Sequence, residues 1–482
     1  MERKKMKTHG FMILSLLLSG LFFTLFSYGQ TTLPTFFNNH MVLQQKDTVA
    51  VWGMDAPNVS LSLRTSWGQE LTTSSNDEGQ WRFALPTPKT DCQPQWLKIK
   101  GTTAVEFDDV LLGEVWICSG QSNMEYPLEG WDNQPIQDYN NLMLDTDYKD
   151  IRLYKIEKSF NQVPQPDVKD ALWKVANMNT THDFSAVGFL YAKRLHNVLK
   201  VPVGIIQSAW GGSNIESWMS KSFLQENFPS YRWSGIDFKR GRANAWPYTI
   251  YNAMIHPLVG YGIKGFLWYQ GESNRLWPAE YKSLFPALIK EWRDEWGQDD
   301  LSFYYVQIAP YKYDKEVNSA YIREVQMQTL DILPNVGMAC IMDLGEEQCI
   351  HPSHKKEVAE RLSYWALNHD YGMNLIACCG PIYDSMKKTD KGQIIISFKN
   401  LYKGLSTYGG PLEGFEIAGA DKKFYPADAA IVNHKPLVIV SSPEVADPVA
   451  VRYCFKNWTV GTLFDAAKLP ASSFRTDQWD IK

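Results

Sequence analysis

Val203-Gly204-Ile205-Ile206-Gln207-Ser208 is a nearly unbroken apolar run, and the preceding segment from Ser185 to Lys200 carries Phe189, Leu190, Leu195 and Val198 at helical spacing. A short apolar run of this kind, fed by an amphipathic helix, predicts a strand buried on both faces. Apolar strands followed by longer helical stretches recur from about residue 108 to 375, which predicts an α/β domain built on a parallel sheet with helices on its faces. Outside that span the period changes. Residues 30–107 hold short alternating segments such as Thr48-Val49-Ala50-Val51-Trp52 and Gln80-Trp81-Arg82-Phe83-Ala84-Leu85, separated by turn residues, and predict a small antiparallel β-domain. Strand-like pieces return over 376–482, among them Gln393-Ile394-Ile395-Ile396-Ser397-Phe398 and Pro436-Leu437-Val438-Ile439-Val440, and predict a C-terminal β-region.

A chain of 482 residues exceeds one ordinary core, in keeping with these divisions. Its 48 basic and 53 acidic residues give a formal charge of −5, without the basic excess that nucleic-acid binding needs. At the start, Arg3, Lys4, Lys5 and Lys7 precede an apolar run from Phe11 to Phe26 and the small-residue stretch Ser27-Tyr28-Gly29. This is the layout of a signal peptide over residues 1–29, and the run is shorter than the roughly 20 residues of a spanning helix. Export to the periplasm or beyond, with no membrane span after cleavage, is the expectation. The seven cysteines show no CxxC spacing and lie mostly in apolar runs, as small buried hydrophobes do. No HExxH or other metal-ligand spacing occurs, and no cofactor is implied.

Four segments carry polar groups at the ends of apolar strands. In Gly113-Glu114-Val115-Trp116-Ile117-Cys118-Ser119-Gly120-Gln121-Ser122-Asn123-Met124 a strand runs into a tight turn that exposes Ser122, in the place of a nucleophile or of a helix N-cap. The GxSxG elbow is absent, since Met124 stands where its second glycine falls. In Trp210-Gly211-Gly212-Ser213-Asn214 the paired glycines permit a backbone N–H to be aimed into a site, and they equally suit an ordinary strand-to-helix turn. In Trp268-Tyr269-Gln270-Gly271-Glu272-Ser273-Asn274, the Gln270 or Asn274 amide can donate to an oxyanion, while Glu272 suits turn ordering. In Asp343-Leu344-Gly345-Glu346-Glu347-Gln348-Cys349-Ile350-His351-Pro352, His351 precedes an amphipathic helix and suits a general base. His196, inside a helix, and His256, beside Pro257, read as packed or surface residues. All four segments fall at the carboxyl edge of one sheet, where open parallel sheets place their sites.

The GQSNM, WGG, WYQGESN and IHP blocks, in this order, resemble the sialate O-acetylesterase family of the SGNH hydrolase superfamily. The resemblance extends to Asn39-His40-Met41-Val42-Leu43-Gln44, Tyr251-Asn252-Ala253-Met254-Ile255 and Phe474-Arg475-Thr476-Asp477-Gln478-Trp479, nearly the whole chain after residue 29. It implies a flavodoxin-like three-layer domain with flanking β-sandwich-like regions, Ser122 as nucleophile and His351 as base. It further implies an oxyanion hole from the Ser122 and Gly212 N–H groups with a side chain of the third block, Gln270 favoured over Asn274. Many superfamily members carry Asp three residues before the histidine, where this chain has Gln348. Asp343 is therefore the expected acidic partner, Glu346 the next, and a Ser-His dyad oriented by a backbone carbonyl the third.

The implied substrate is O-acetylated sialic acid, attacked at its 9-O-acetyl group. Acetylated xylan or another acetylated glycan is the rival, because catalytic blocks fix the reaction and not the alcohol. A carbohydrate-binding protein without activity is the reading from a different class. Arg240, Arg242 and Arg275 are the arginines that could meet a sialic acid carboxylate, although solvated surface arginines are more common.

Overall fold

The computed structural model describes residues 29–230, 238, 240–314 and 317–479; the expected signal segment, apart from Gly29, lies outside the described residues. Its centre is a sheet whose main path runs Val336–Ala339, Ser302–Val306, Gly265–Tyr269, Ala104–Gly120, Val203–Ala209, Tyr148–Lys155 and Trp173–Ala176. All neighbours on this path are parallel except the last, which is antiparallel. The fold is mixed α/β, consistent with an SGNH-type hydrolase. Successive strand residues point to opposite faces. Ile117, Phe266, Trp268, Phe303 and Tyr305 meet the helices Pro278–Trp296 and Ala320–Ile332 on one side. Trp116, Cys118, Leu267, Tyr269 and Val306 meet Ala186–Leu199 and Lys355–His369 on the other. The helix expected over 185–200 is Ala186–Leu199, with Ser185 as its N-cap accepting from the Gly188 N–H at 3.0 Å.

The expected division near residue 107 falls inside one 17-residue strand, Ala104–Gly120. Its first part pairs antiparallel with Gln95–Lys100, and its second part joins the parallel sheet. The 30–107 region thus shares a strand with the central sheet, and Val42–Gln44 adds to the same strand at Leu111–Gly113. The segment Gln80–Thr87 alternates exposed and buried residues without a break, as its sequence pattern predicts for a strand with one apolar face. After residue 380 two four-stranded antiparallel sheets pack with Tyr383 stacked on Phe474 at 4.8 Å. They are fastened to the centre by Arg323, fully buried, whose guanidinium donates to the Lys456 carbonyl at 2.5 Å and the Ser473 hydroxyl at 3.1 Å. The seven cysteines are unpaired; Cys118, Cys340 and Cys454 are buried as expected, whereas Cys92, Cys349, Cys378 and Cys379 are only half-buried.

Register brings three strand ends level: Gly120 pairs with Ala209 on one side and with Tyr269 on the other. Chain connections diverge to the two sides of this central strand, which makes its carboxyl end the topological switch point. Gly120 has φ of +134°, and a Cβ there would lie 2.2 Å from the Tyr269 carbonyl oxygen. That carbonyl also accepts the Gln121 N–H at 3.0 Å, so the close approach sets the turn that follows. Gly120→Ala is expected to cost about 2 kcal/mol or more through backbone strain and overpacking, read as a lowered thermal unfolding midpoint.

Candidate active site

Each level strand end passes directly into one of the polar blocks. Ser122 opens a one-turn helix, Ser122–Glu125, and is half-buried at the mouth of the sheet. Glu125, at the end of that turn, accepts the Gly211 N–H at 2.5 Å and pairs with Lys158 at 2.6 Å, which draws the glycine turn against the serine. A Cβ on Gly211 would stand 3.2 Å from the Ser122 Cβ. Gly212 has φ of +72°, a conformation that glycine adopts without steric cost. Gln121 reaches across to the third block, accepting the N–H groups of Gly271 and Ser273 at 3.3 and 3.2 Å.

The residue after the serine ties in the fourth block. The Asn123 amide nitrogen donates to the Ile350 carbonyl at 3.1 Å and to Glu272 at 2.7 Å, while its oxygen accepts from the Lys355 ammonium at 2.6 Å. Asn123, Glu272 and Lys355 are all buried. Burial raises the Glu272 carboxyl and pushes the Lys355 ammonium down to about 7, against the opposing pull of Glu272 on the lysine. Ile350 adjoins His351, so Ser122 and His351 are carried on segments bolted together by one side chain. Among the described residues no hydrogen bond joins Ser122 Oγ to the His351 ring; such contacts commonly close only with substrate bound.

His351 is held by a group that the sequence does not announce. Its Nδ1 lies 2.5 Å from the Gln134 side-chain oxygen, and its ring packs edge-on against Trp131 at 5.0 Å. Gln134 sits in a tight turn with reciprocal backbone bonds to Trp131, and the Tyr126 hydroxyl donates to its carbonyl. An amide oxygen can accept but not donate, so this bond selects the imidazole with its proton on Nδ1 and leaves Nε2 as the base. Burial, followed by the Lys355 charge, pushes His351 down to about 4. Gln134 is 217 residues away along the chain, and no motif spacing marks it.

Asp343 does not meet His351, which corrects the expectation placed on it. Its two oxygens pair with the Arg361 guanidinium at 2.6 and 2.7 Å, fastening the Lys355–His369 helix to the end of the Val336–Ala339 strand. Asp343 lies too soon after the strand to reach the later loop, and the arginine two turns into the helix captures it. Glu346 accepts the Ser353 N–H at 2.7 Å and so braces the histidine loop from within. The expectation for the third-block amides also changes. Gln270 donates to the Ser213 carbonyl at 3.1 Å and to the Asn274 oxygen at 2.7 Å. Asn274 in turn accepts the Ile215 N–H at 2.9 Å and donates to Glu216 at 3.1 Å. Both are fully buried and bridge the second and third blocks rather than presenting donors to the cleft. His196 and His256 bond to the Val201 and Gln165 carbonyls, in keeping with packed roles.

A cavity of about 220 Å³ opens beside the turn, with Glu125, Pro127, Trp131, Lys158 and Ala209 among its walls. None of Ser122, Gly212 and His351 lines it. A larger cavity, about 610 Å³, lies at the opposite edge of the sheet around Glu114 and Asp370, away from all four blocks.

Residues 112–364 match the model of a family described as carbohydrate esterase, sialic acid-specific acetylesterase. The chain is 29% identical over 468 residues to the sialate O-acetylesterase of Homo sapiens, covering 88% of this chain and 87% of that one. It is 26% identical over 490 residues to the sialate O-acetylesterase of Mus musculus, with 88% and 89% covered. A carbohydrate acetylesterase from Xanthomonas citri, known from its crystal structure, superposes with a TM-score of 0.85 at 35% identity, covering 93% of this chain and all of that one.

Because the Asp343–Arg361 pair is largely buried, with side chains 13% and 9% exposed, Asp343→Asn strands a guanidinium and is expected to cost about 3–5 kcal/mol of stability. The pH profile of whatever activity the folded fraction retains should match that of the parent, since Asp343 does not touch His351. A displaced acid limb would instead return Asp343 to the base.

Proposed function

Since the chain belongs to the sialic acid-specific acetylesterase family of carbohydrate esterases, an O-acetyl ester hydrolase class, we propose that it removes 9-O-acetyl groups from sialic acids through a serine acetyl-enzyme. The observation that carries the mechanism is the Asn123 side chain, which fastens the turn bearing Ser122 to the loop bearing His351. Ser122 Oγ attacks the acetyl carbonyl while His351 Nε2 takes the hydroxyl proton. The Ser122 and Gly212 N–H groups stabilise the oxyanion. As the tetrahedral intermediate collapses and the acyl C–O bond breaks, His351 gives the proton to the sugar oxygen, which leaves as the alcohol. Water, activated by His351, then hydrolyses the acetyl-serine to acetate. Gln134 keeps the imidazole in the required tautomer.

A second reading keeps this chemistry and changes the sugar. The Xanthomonas citri relative is a carbohydrate acetylesterase, a class that names no particular sugar, so acetylated xylan or another acetylated glycan stands as the alternative substrate. The basic, apolar N-terminal stretch supports export as part of the proposal, and among the described residues no helix is long and apolar enough to cross a membrane.

Acetate release should be measured from O-acetylated sialic acid and from acetylated xylan, with Ser122→Ala beside the parent. Ser122-dependent release from the sialic acid supports the proposal; release from xylan alone overturns the substrate and keeps the mechanism; release that survives Ser122→Ala overturns the mechanism. With His351 held near 4, kcat/KM should stay level from neutral pH down to about 5 and halve near 4, where the base protonates. Gln134→Ala frees the ring and should lower kcat on the order of a hundredfold. Gln134→Glu places a carboxylate on Nδ1, favours the imidazolium, and should move the acid limb upward by about one pH unit or more.

A further inference from the structure

The segment Arg242–Trp246 folds over the glycine turn. The Asn244 amide donates to the Gly211 carbonyl, and the Ser217 hydroxyl donates to the Asn244 carbonyl at 3.2 Å, so the segment is pinned in place. This puts the Arg242 guanidinium directly above Gly212: a Cβ on that glycine would lie 3.1 Å from Arg242 Nη1. Arg242 is exposed and has no hydrogen bond or ion pair from its side chain among the described residues. Of the other two arginines singled out in the sequence, Arg275 donates to the Glu272 carbonyl at 3.1 Å and lies over the Tyr313 ring at 4.6 Å, and Arg240 is engaged as well. Glu125, which accepts the Gly211 N–H, is paired with Lys158.

Aromatic side chains wall the same place. Phe160, 46% exposed, packs edge-on against Trp246 at 5.4 Å and lies 6.3 Å from Trp210, the residue before the paired glycines. Phe238 closes on Trp246 from another side at 5.6 Å. An ester whose carbonyl oxygen sits at Gly212 therefore has, immediately beside it, a flat apolar wall and an unpaired guanidinium. A sugar ring rests against such a wall, and a planar guanidinium forms paired hydrogen bonds with a carboxylate.

Resting on the esterase reading above, we propose that Arg242 is a specificity-determining residue that binds the carboxylate of an acidic acetylated sugar. It favours sialic acids over neutral sugars bearing the same acetyl ester. A neutral glycan gains nothing from the guanidinium, while a sugar acid exchanges water for a charge-assisted pair.

The test compares kcat/KM of the full chain for 9-O-acetyl-N-acetylneuraminic acid and for its C1 methyl ester, which differ only in the carboxylate. The parent should prefer the acid by about tenfold or more, the discrimination expected of a hydrogen-bonded charge pair. Arg242→Gln should bring the two substrates to near parity by raising KM for the acid, and Arg242→Lys should restore part of the preference. Taking the ratio within each protein cancels any loss that strikes both substrates alike. Parity in the parent, or an unchanged ratio in Arg242→Gln, overturns the proposal. So does a fall in kcat shared equally by both substrates, which would assign Arg242 to the oxyanion or to support of the glycine turn. If the parent splits the methyl ester and 4-nitrophenyl acetate in a Ser122-dependent way without preferring the acid, only this inference fails. If it splits no acetyl ester, the esterase reading fails and this inference with it.

Discussion

A buried ammonium and a buried carboxylate are held apart by one amide, and the arrangement of the site depends on that separation. Lys355 and Glu272 do not pair directly; Asn123 stands between them, accepting from one and donating to the other. Each charge alone would be expensive in the interior, and removing one partner of a buried pair strands the other at a cost of about 3–5 kcal/mol. The amide nitrogen of Asn123 also reaches the Ile350 carbonyl, so the electrostatic compensation and the positioning of the histidine loop are a single event. Aromatic faces from Tyr126 and Tyr269 lie 4.6 and 5.8 Å from the lysine and add favourable contact for the ammonium.

The parallel sheet supplies the other half of the geometry. Hydrogen-bond register puts Gly120, Ala209 and Tyr269 at one height, so three blocks far apart along the chain emerge side by side. The fourth arrives from the outer strand Val336–Ala339 through a longer loop, which needs its own fastenings at Asn123, Gln134 and Glu346. Short connections are placed by the ladder, while the long one is placed by side chains.

That difference marks what could be read from the sequence. Apolar runs ending in small and polar residues announce strands and their carboxyl ends, because burial on both faces leaves a plain compositional trace. Ser122, Gly212 and His351 were legible as candidates for that reason. Gln134 left no trace, since a glutamine in a short polar turn has no periodicity and its partner lies in another block. Asp343 was misread because proximity along the chain says nothing about competition: Arg361, hidden inside an amphipathic helix pattern, outbids the histidine. Gln270 and Asn274 carry the right chemistry, but whether an amide faces a cleft or a neighbouring loop is decided by packing, which the residue type does not reveal.

The uninterrupted strand Ala104–Gly120 also bears on how such a chain could have been assembled. Its first residues belong to the antiparallel sheet near the N-terminus and its last abuts the turn of Ser122. Modules that recombine freely are joined by linkers, where a cut leaves both parts with complete edges. A cut within this strand would leave two raw edges and remove the rail that delivers the serine. The leading sheet and the site are therefore one structural piece rather than a cassette and its neighbour: a change that shifts the shared strand in the sheet shifts the serine with it.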